Sequence, residues 1–208
     1  MSRLRPTSDS LDRNVTQCDP RDTAETAIHR VLEAHCSPRA PAERHMIEVF
    51  VSRPSWIAQS FETGLSGFLD FLKVLDLNPR TLRTTDDPSR APLDEIISLL
   101  DLAAGAVILG YPQIEVTAGS LKGQEIRAPL LLSTEWNHIE AGLAYARGLP
   151  LLVIHHVGVN RGIFDRGATP ASLYERDLAI PHWPLDPDLQ GAVKKWKQDC
   201  LARKIPRR

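Results

Sequence analysis

Cysteine is scarce in this chain of 208 residues: Cys18, Cys36 and Cys200 lie far apart, are odd in number and follow no metal-binding or redox spacing. That argues against a disulfide framework and makes a reducing, cytoplasmic setting the expectation. Long apolar runs are missing as well. Nothing approaches the roughly 18 consecutive apolar residues of a membrane span, and the basic, polar first residues have no signal-peptide core. Neither membrane insertion nor secretion is expected. Charge of one sign is absent too: 25 Lys plus Arg stand against 26 Asp plus Glu, a formal net charge of -1. No global field then draws the chain to nucleic acid or to an anionic membrane, and any nucleotide contact must be local. There is no GxGxxG and no GxxxxGK followed by Ser or Thr, which disfavours a Rossmann dehydrogenase or a P-loop enzyme. His138, His155 and His156 stand in no HExxH or Cys/His spacing, so no metal is expected.

What is present is a hydrophobic fraction of 42%, enough for an ordinary core in one domain with modest extensions. Residues 1–20 are rich in Arg, Ser, Asp and Thr without periodicity and read as a disordered N-terminus. Residues 21–44 read as an appended helix from Asp22 to about Cys36, closed by a Pro-rich linker. From His45 to the C-terminus, strands alternate with helices, the pattern of a parallel α/β domain.

Within that domain Ile47, Val49 and Val51 alternate with Glu48 and Phe50, predicting a strand that ends at Ser52-Arg53-Pro54. Phe61, Leu65, Phe68, Leu69 and Leu72 predict an amphipathic helix to about Leu75. A more polar second strand is expected over Arg80 to Thr84, then a loop around Asp86-Asp87-Pro88, then a helix from Pro92. Ala106 to Leu109 predicts a short central strand covered on both faces. Residues 111–133 read as an irregular insertion. A helix opened by Thr134, a buried strand over Leu149 to Ile154, a glycine-containing loop over 158–167, a last strand over Leu178 to Ile180 and a helix from Asp186-Pro187 complete the order. In the last helix Leu189, Val193, Trp196 and Cys200 form the apolar face. The fold class expected is an open doubly wound parallel sheet of flavodoxin-like, three-layer architecture, which binds ligands outside the carboxyl ends of its strands.

The segment Thr134-Glu135-Trp136-Asn137-His138-Ile139-Glu140 is the richest in chemistry. At about 100° per residue, Trp136, Ile139, Leu143 and Ala146 share an apolar stripe, read as the buried face with Trp136 as a core anchor. Glu140 falls on the border of that stripe beside Asn137, Ala141 and Ala144, where small neighbours leave room for a ligand. Glu140 is the candidate catalytic residue; an ordinary solvated helix carboxylate is the plain alternative. Ser52 and Arg53 at the first strand's end, Trp56, Asp86, Tyr111, Trp136 and Asn137 are the candidate substrate contacts. For Arg53 a surface ion pair, for Asp86 a turn and for Tyr111 a packing role are the alternatives.

The order of these motifs resembles a Toll/interleukin-1 receptor (TIR) domain over roughly His45 to Val159. Val49-Phe50-Val51-Ser52 is similar to the family's first strand, the Asp86 to Pro92 segment stands where the family has a mobile loop, and Trp136 to Glu140 matches the Trp-x-x-x-Glu spacing of members that cleave NAD. The resemblance implies a TIR-like NAD+ nucleosidase of the kind used in bacterial antiphage defence. Glu140 would be needed to break the nicotinamide–ribose bond, giving ADP-ribose or a cyclic ADP-ribose isomer. It implies NAD+ as substrate rather than cofactor, self-association, and a partner defence protein. Arg53-Pro54-Ser55-Trp56 and the long 111–133 connection depart from the family pattern. Two rival readings stay open: an N-glycosidase similar to nucleoside 2-deoxyribosyltransferases, and a non-catalytic module for nucleotide sensing or assembly.

Overall fold

The computed structural model describes residues 46–82, 91–169 and 171–204. The chain divides into two units, Met1–Glu43 and Arg44–Arg208. The expected disordered N-terminus, the appended helix, the Asp86 loop and the extreme basic tail lie outside the described residues.

The second unit is built on five parallel strands: β1 (Ile47–Ser52), β2 (Leu77–Arg80), β3 (Ala106–Gly110), β8 (Leu151–His156) and β9 (Ser172–Arg176). Their order across the sheet is β2-β1-β3-β8-β9. This is the flavodoxin-like arrangement, with its topological switch point between β1 and β3. The alternation of β1 sends Val49 and Val51 to one face and Phe50 to the other, as pleating requires. On the first face, helices α1 (Gln59–Val74) and α4 (Pro187–Lys204) pack over Val107, Leu109, Leu152 and Ile154 through Phe61, Phe68, Val193 and Trp196. On the second face, α2 (Pro92–Leu102) and α3 (Glu135–Ala146) cover Phe50, Ala106, Ile108 and Val153. No helix among the described residues is long and apolar enough to cross a membrane.

Several expectations are corrected. The second strand is Leu77–Arg80 rather than Arg80 to Thr84. This edge strand tolerates Pro79, since one side of it needs no N–H donor; β2 pairs only with β1 in this sheet. The last strand is Ser172–Arg176. Leu178 is instead buried in the turn beyond it, its N–H donating to His156 Nδ1 at 3.1 Å. β8 begins at Leu151, two residues later than expected; just before it the Pro150 carbonyl accepts from Trp196 Nε1 at 2.9 Å and from the Ala106 N–H.

The 111–133 connection is ordered rather than irregular. β4 (Ile114–Val116) pairs antiparallel with β7 (Leu130–Leu132), and between them β5 (Ser120–Leu121) and β6 (Gln124–Glu125) form a small hairpin. Its two-residue turn, Lys122-Gly123, has positive φ at both positions (52° and 78°), as the tight turns that match strand twist demand.

Gly110 closes β3 because no side chain fits there. A Cβ at this position would lie 2.6 Å from Phe164 Cε1 and 2.9 Å from His155 Cβ. Gly110→Ala is expected to cost about 1–3 kcal/mol through overpacking, measurable as a lowered urea midpoint at unchanged slope.

Candidate active site

The site grows from the end of β1. Pleating turns Ser52 towards α3, where its side chain is buried (1% exposed). Helix α3 starts at Thr134, whose Oγ1 accepts from the Asn137 N–H at 3.3 Å and so caps the helix. The same hydroxyl donates to Asn137 Oδ1 at 3.0 Å. That fixes the amide, and Asn137 Nδ2 donates to Ser52 Oγ at 2.8 Å across 85 residues of sequence. Ser52 has thus received its hydrogen bond, and its own proton is directed to Glu140, whose ionised form it favours. The chain of donors runs one way, from Thr134 to the carboxylate.

Glu140 is 5% exposed. Burial pushes its carboxyl up to about 7, with the Ser52 hydrogen bond pulling in the opposite direction. Its Oε2 is buried without a partner. Two further polar atoms at the same ends of β1 and β3 are in that condition, the phenol oxygen of Tyr111 and Nε of Arg53. An unpaired buried polar atom costs about 1–3 kcal/mol; Glu48 Oε2, Arg176 Nε and Trp183 Nε1 are in the same condition elsewhere, while these three belong to the switch-point end of the sheet, where open α/β sheets take ligands. Tyr111 is fully buried, its ring edge-on to Phe61 at 5.3 Å. Burial raises its phenol far above the ordinary range and the Arg53 charge draws it partly back. Arg53 donates from Nη1 to the Pro54 carbonyl at 3.2 Å.

The structure therefore brings together Ser52, Asn137 and Glu140 on one side of the strand ends and Arg53 and Tyr111 on the other. Trp56 and Trp136 stand at the surface, 66% and 43% exposed. Asp86 lies outside the described residues. The helical phase of α3 is also corrected. Its buried residues are Asn137, Glu140, Ala141 and Ala144, while Trp136 and Ile139 face outward. Small residues let the helix lie close to Ile108 and Val153, and the polar pair is held by Ser52, so the larger apolar stripe is left outside. Glu140 lies on the inner face beside Asn137, Ala141 and Ala144.

Sequence reasoning missed the His138 contact. Its Nδ1 accepts from the Ile163 N–H at 3.3 Å, and its ring lies where a Cβ on Gly162 (φ +64°) would be, 2.6 Å away at Cε1. This ties α3 to the 158–167 loop. The glycines of that loop were the signal available. Cavities of about 420, 270 and 320 Å³ open among the described residues. Glu140 lines none of these three.

Comparison with family models and with curated proteins gives no match. Among solved structures, the chain is similar to the sugar isomerase domain of an RpiR transcription factor from Sphaerobacter thermophilus. The two share 14% identity over 88% of this chain and 84% of that one, with a TM-score of 0.35, too low to carry a functional argument.

The elevated Glu140 carboxyl has a stability consequence. Its folded value of about 7 lies above the ordinary 4.5, so the stabilisation is fully present below about pH 4.5 and is lost as pH rises through 7, about 3 kcal/mol in all. Glu140→Gln should remove this pH dependence, and Ser52→Ala should shift the titration upward; denaturant titrations between pH 4 and 8 measure both.

Proposed function

We propose that this protein is a TIR-like N-glycosidase that cleaves the nicotinamide–ribose bond of NAD+, with Glu140 as the essential carboxylate. The observation that supports this reading is the buried, hydrogen-bond-directed Glu140 whose second oxygen lacks a partner at the switch point. In the reaction the bond between ribose C1′ and the nicotinamide nitrogen breaks with its electron pair going to nicotinamide, neutralising the pyridinium. The ribose left behind is an oxocarbenium-like cation, which a fixed carboxylate in a poorly solvated site stabilises. Water then bonds to C1′ and releases a proton, giving ADP-ribose; attack by an adenine nitrogen instead gives a cyclic isomer. Asn137 and Ser52 position the carboxylate, and Arg53 and Tyr111 offer a donor pair for the rest of the nucleotide.

Self-association fits the outward stripe of α3. Trp136 and Ile139 are each 43% exposed, one turn apart, and apolar side chains grouped on one surface mark a site for association. A defence role is part of the same reading.

A second reading is favoured by the burial of Glu140: a carboxylate only 5% exposed suits a module that senses a nucleotide without turning it over. Unchanged NAD+ with a ligand-dependent rise in melting temperature would select it. Nucleoside cleavage without NAD+ cleavage would instead select deoxyribosyltransferase-like chemistry.

Nicotinamide release from NAD+, followed by liquid chromatography and mass spectrometry across protein concentrations, tests the proposal. Wild type should release nicotinamide with kcat/KM rising to a plateau above about pH 7, since the ionised carboxylate is the active form. Glu140→Gln should lose at least about 100-fold. Trp136→Ser should leave the fold intact and lower activity most at low protein concentration, with weakened association by sedimentation. No release by demonstrably assembled wild type would reject the glycosidase.

A further inference from the structure

We infer that a second ligand site, shaped for a hydroxyl-rich ring such as a pentose or hexose unit, opens around His155 at the carboxyl ends of β8 and β9. The cavity there measures about 320 Å³, at the lower end of the range for small-ligand sites of roughly 300–1,000 Å³. Its floor is buried, with His155 3% and Phe164 1% exposed. Its rim carries Asn160, Asp165, Arg166 and Glu175, all exposed. The sheet register builds this mouth by placing His155 directly opposite Glu175.

The tautomer of His155 follows from its partner. Nδ1 lies 3.1 Å from the His156 carbonyl oxygen, which can only accept, so Nδ1 holds the proton and Nε2 keeps its lone pair. Burial holds the ring neutral. The cavity thus offers acceptors from Nε2, Asp165 and Glu175, and donors from Arg166 and the Asn160 amide. Glu175 is itself oriented by the Gly158 N–H at 3.4 Å. Acceptors facing donors across a small space match vicinal hydroxyls, each of which both donates and accepts. The Phe164 ring supplies an apolar floor for the C–H face of a sugar. Two carboxylates against one guanidinium disfavour a phosphate or carboxylate in the same space. No group of three or more His, Cys, Asp or Glu among the described residues is placed to hold a metal ion, so hydroxyls suit these acceptors better than a cation.

This site is separate from Glu140. Glu140, Ser52 and Asn137 are not among its lining residues, and the Phe164 ring lies 5.6 Å from His138 on α3 and 5.8 Å from His155. The inference does not rest on the glycosidase reading, and the two fail in different experiments.

Isothermal titration of the full-length protein with D-ribose and with ADP-ribose provides the test, using wild type, Glu175→Gln, Arg166→Ala and Glu140→Gln. The rim variants change exposed side chains and leave the core untouched. The expected result is binding that weakens about tenfold or more in Glu175→Gln and Arg166→Ala and persists in Glu140→Gln. Binding of D-ribose would identify a free sugar, and binding of ADP-ribose alone a nucleotide-borne ribose. Absence of binding by either probe to folded wild type overturns the inference. So does binding unaffected by both rim variants, or binding lost only in Glu140→Gln.

Discussion

The structure depends on one hydrogen bond between distant parts of the chain, from Asn137 Nδ2 to Ser52 Oγ at 2.8 Å. It joins the end of the first strand to the first turn of α3, and both partners are buried. Without it, two polar side chains would sit unpaired against the sheet, each at a cost comparable to a sizeable fraction of a domain's net stability. With it, the polar face of α3 can be the inner one. The helix then approaches closely on Ala141 and Ala144, and Glu140 is carried into the interior with them.

The electrostatics follow from that geometry. A carboxylate drawn inward by a helix is desolvated, and one hydroxyl only partly offsets the loss of water. Three of the buried polar atoms without a partner, Glu140 Oε2, Tyr111 Oη and Arg53 Nε, belong to residues at or packed against the ends of β1 and β3. The second polar region, around His155, is arranged differently: its carboxylates stay at the rim in solvent and only the neutral imidazole is buried.

Much of the architecture was legible from the residues. β1, β3 and β8 are dominated by apolar residues because strands covered on both faces bury nearly every side chain, and α1, α2 and α4 carry apolar spacing that matches their buried sides. The two edge strands were misplaced for a shared reason. An edge needs neither full burial nor a complete set of donors, so β2 contains Pro79 and β9 is half polar, and neither announces itself. The hairpin in the 111–133 connection was illegible because its strands are two or three residues long and mostly exposed.

The sequence by itself determined the alternation of strands and helices, the chain of apolar strands that must be central, and Glu140 as the carboxylate to watch, since periodicity and composition are local properties. Only the tertiary structure decided which face of α3 is buried. Apolar spacing favoured Trp136, Ile139 and Leu143, but close packing against the sheet selected the smaller residues, and a partner 85 positions away made burial of Asn137 affordable in energy. That choice depends on contacts between segments remote in sequence, and such contacts exist only once the sheet has set the ends of β1 and β3 side by side.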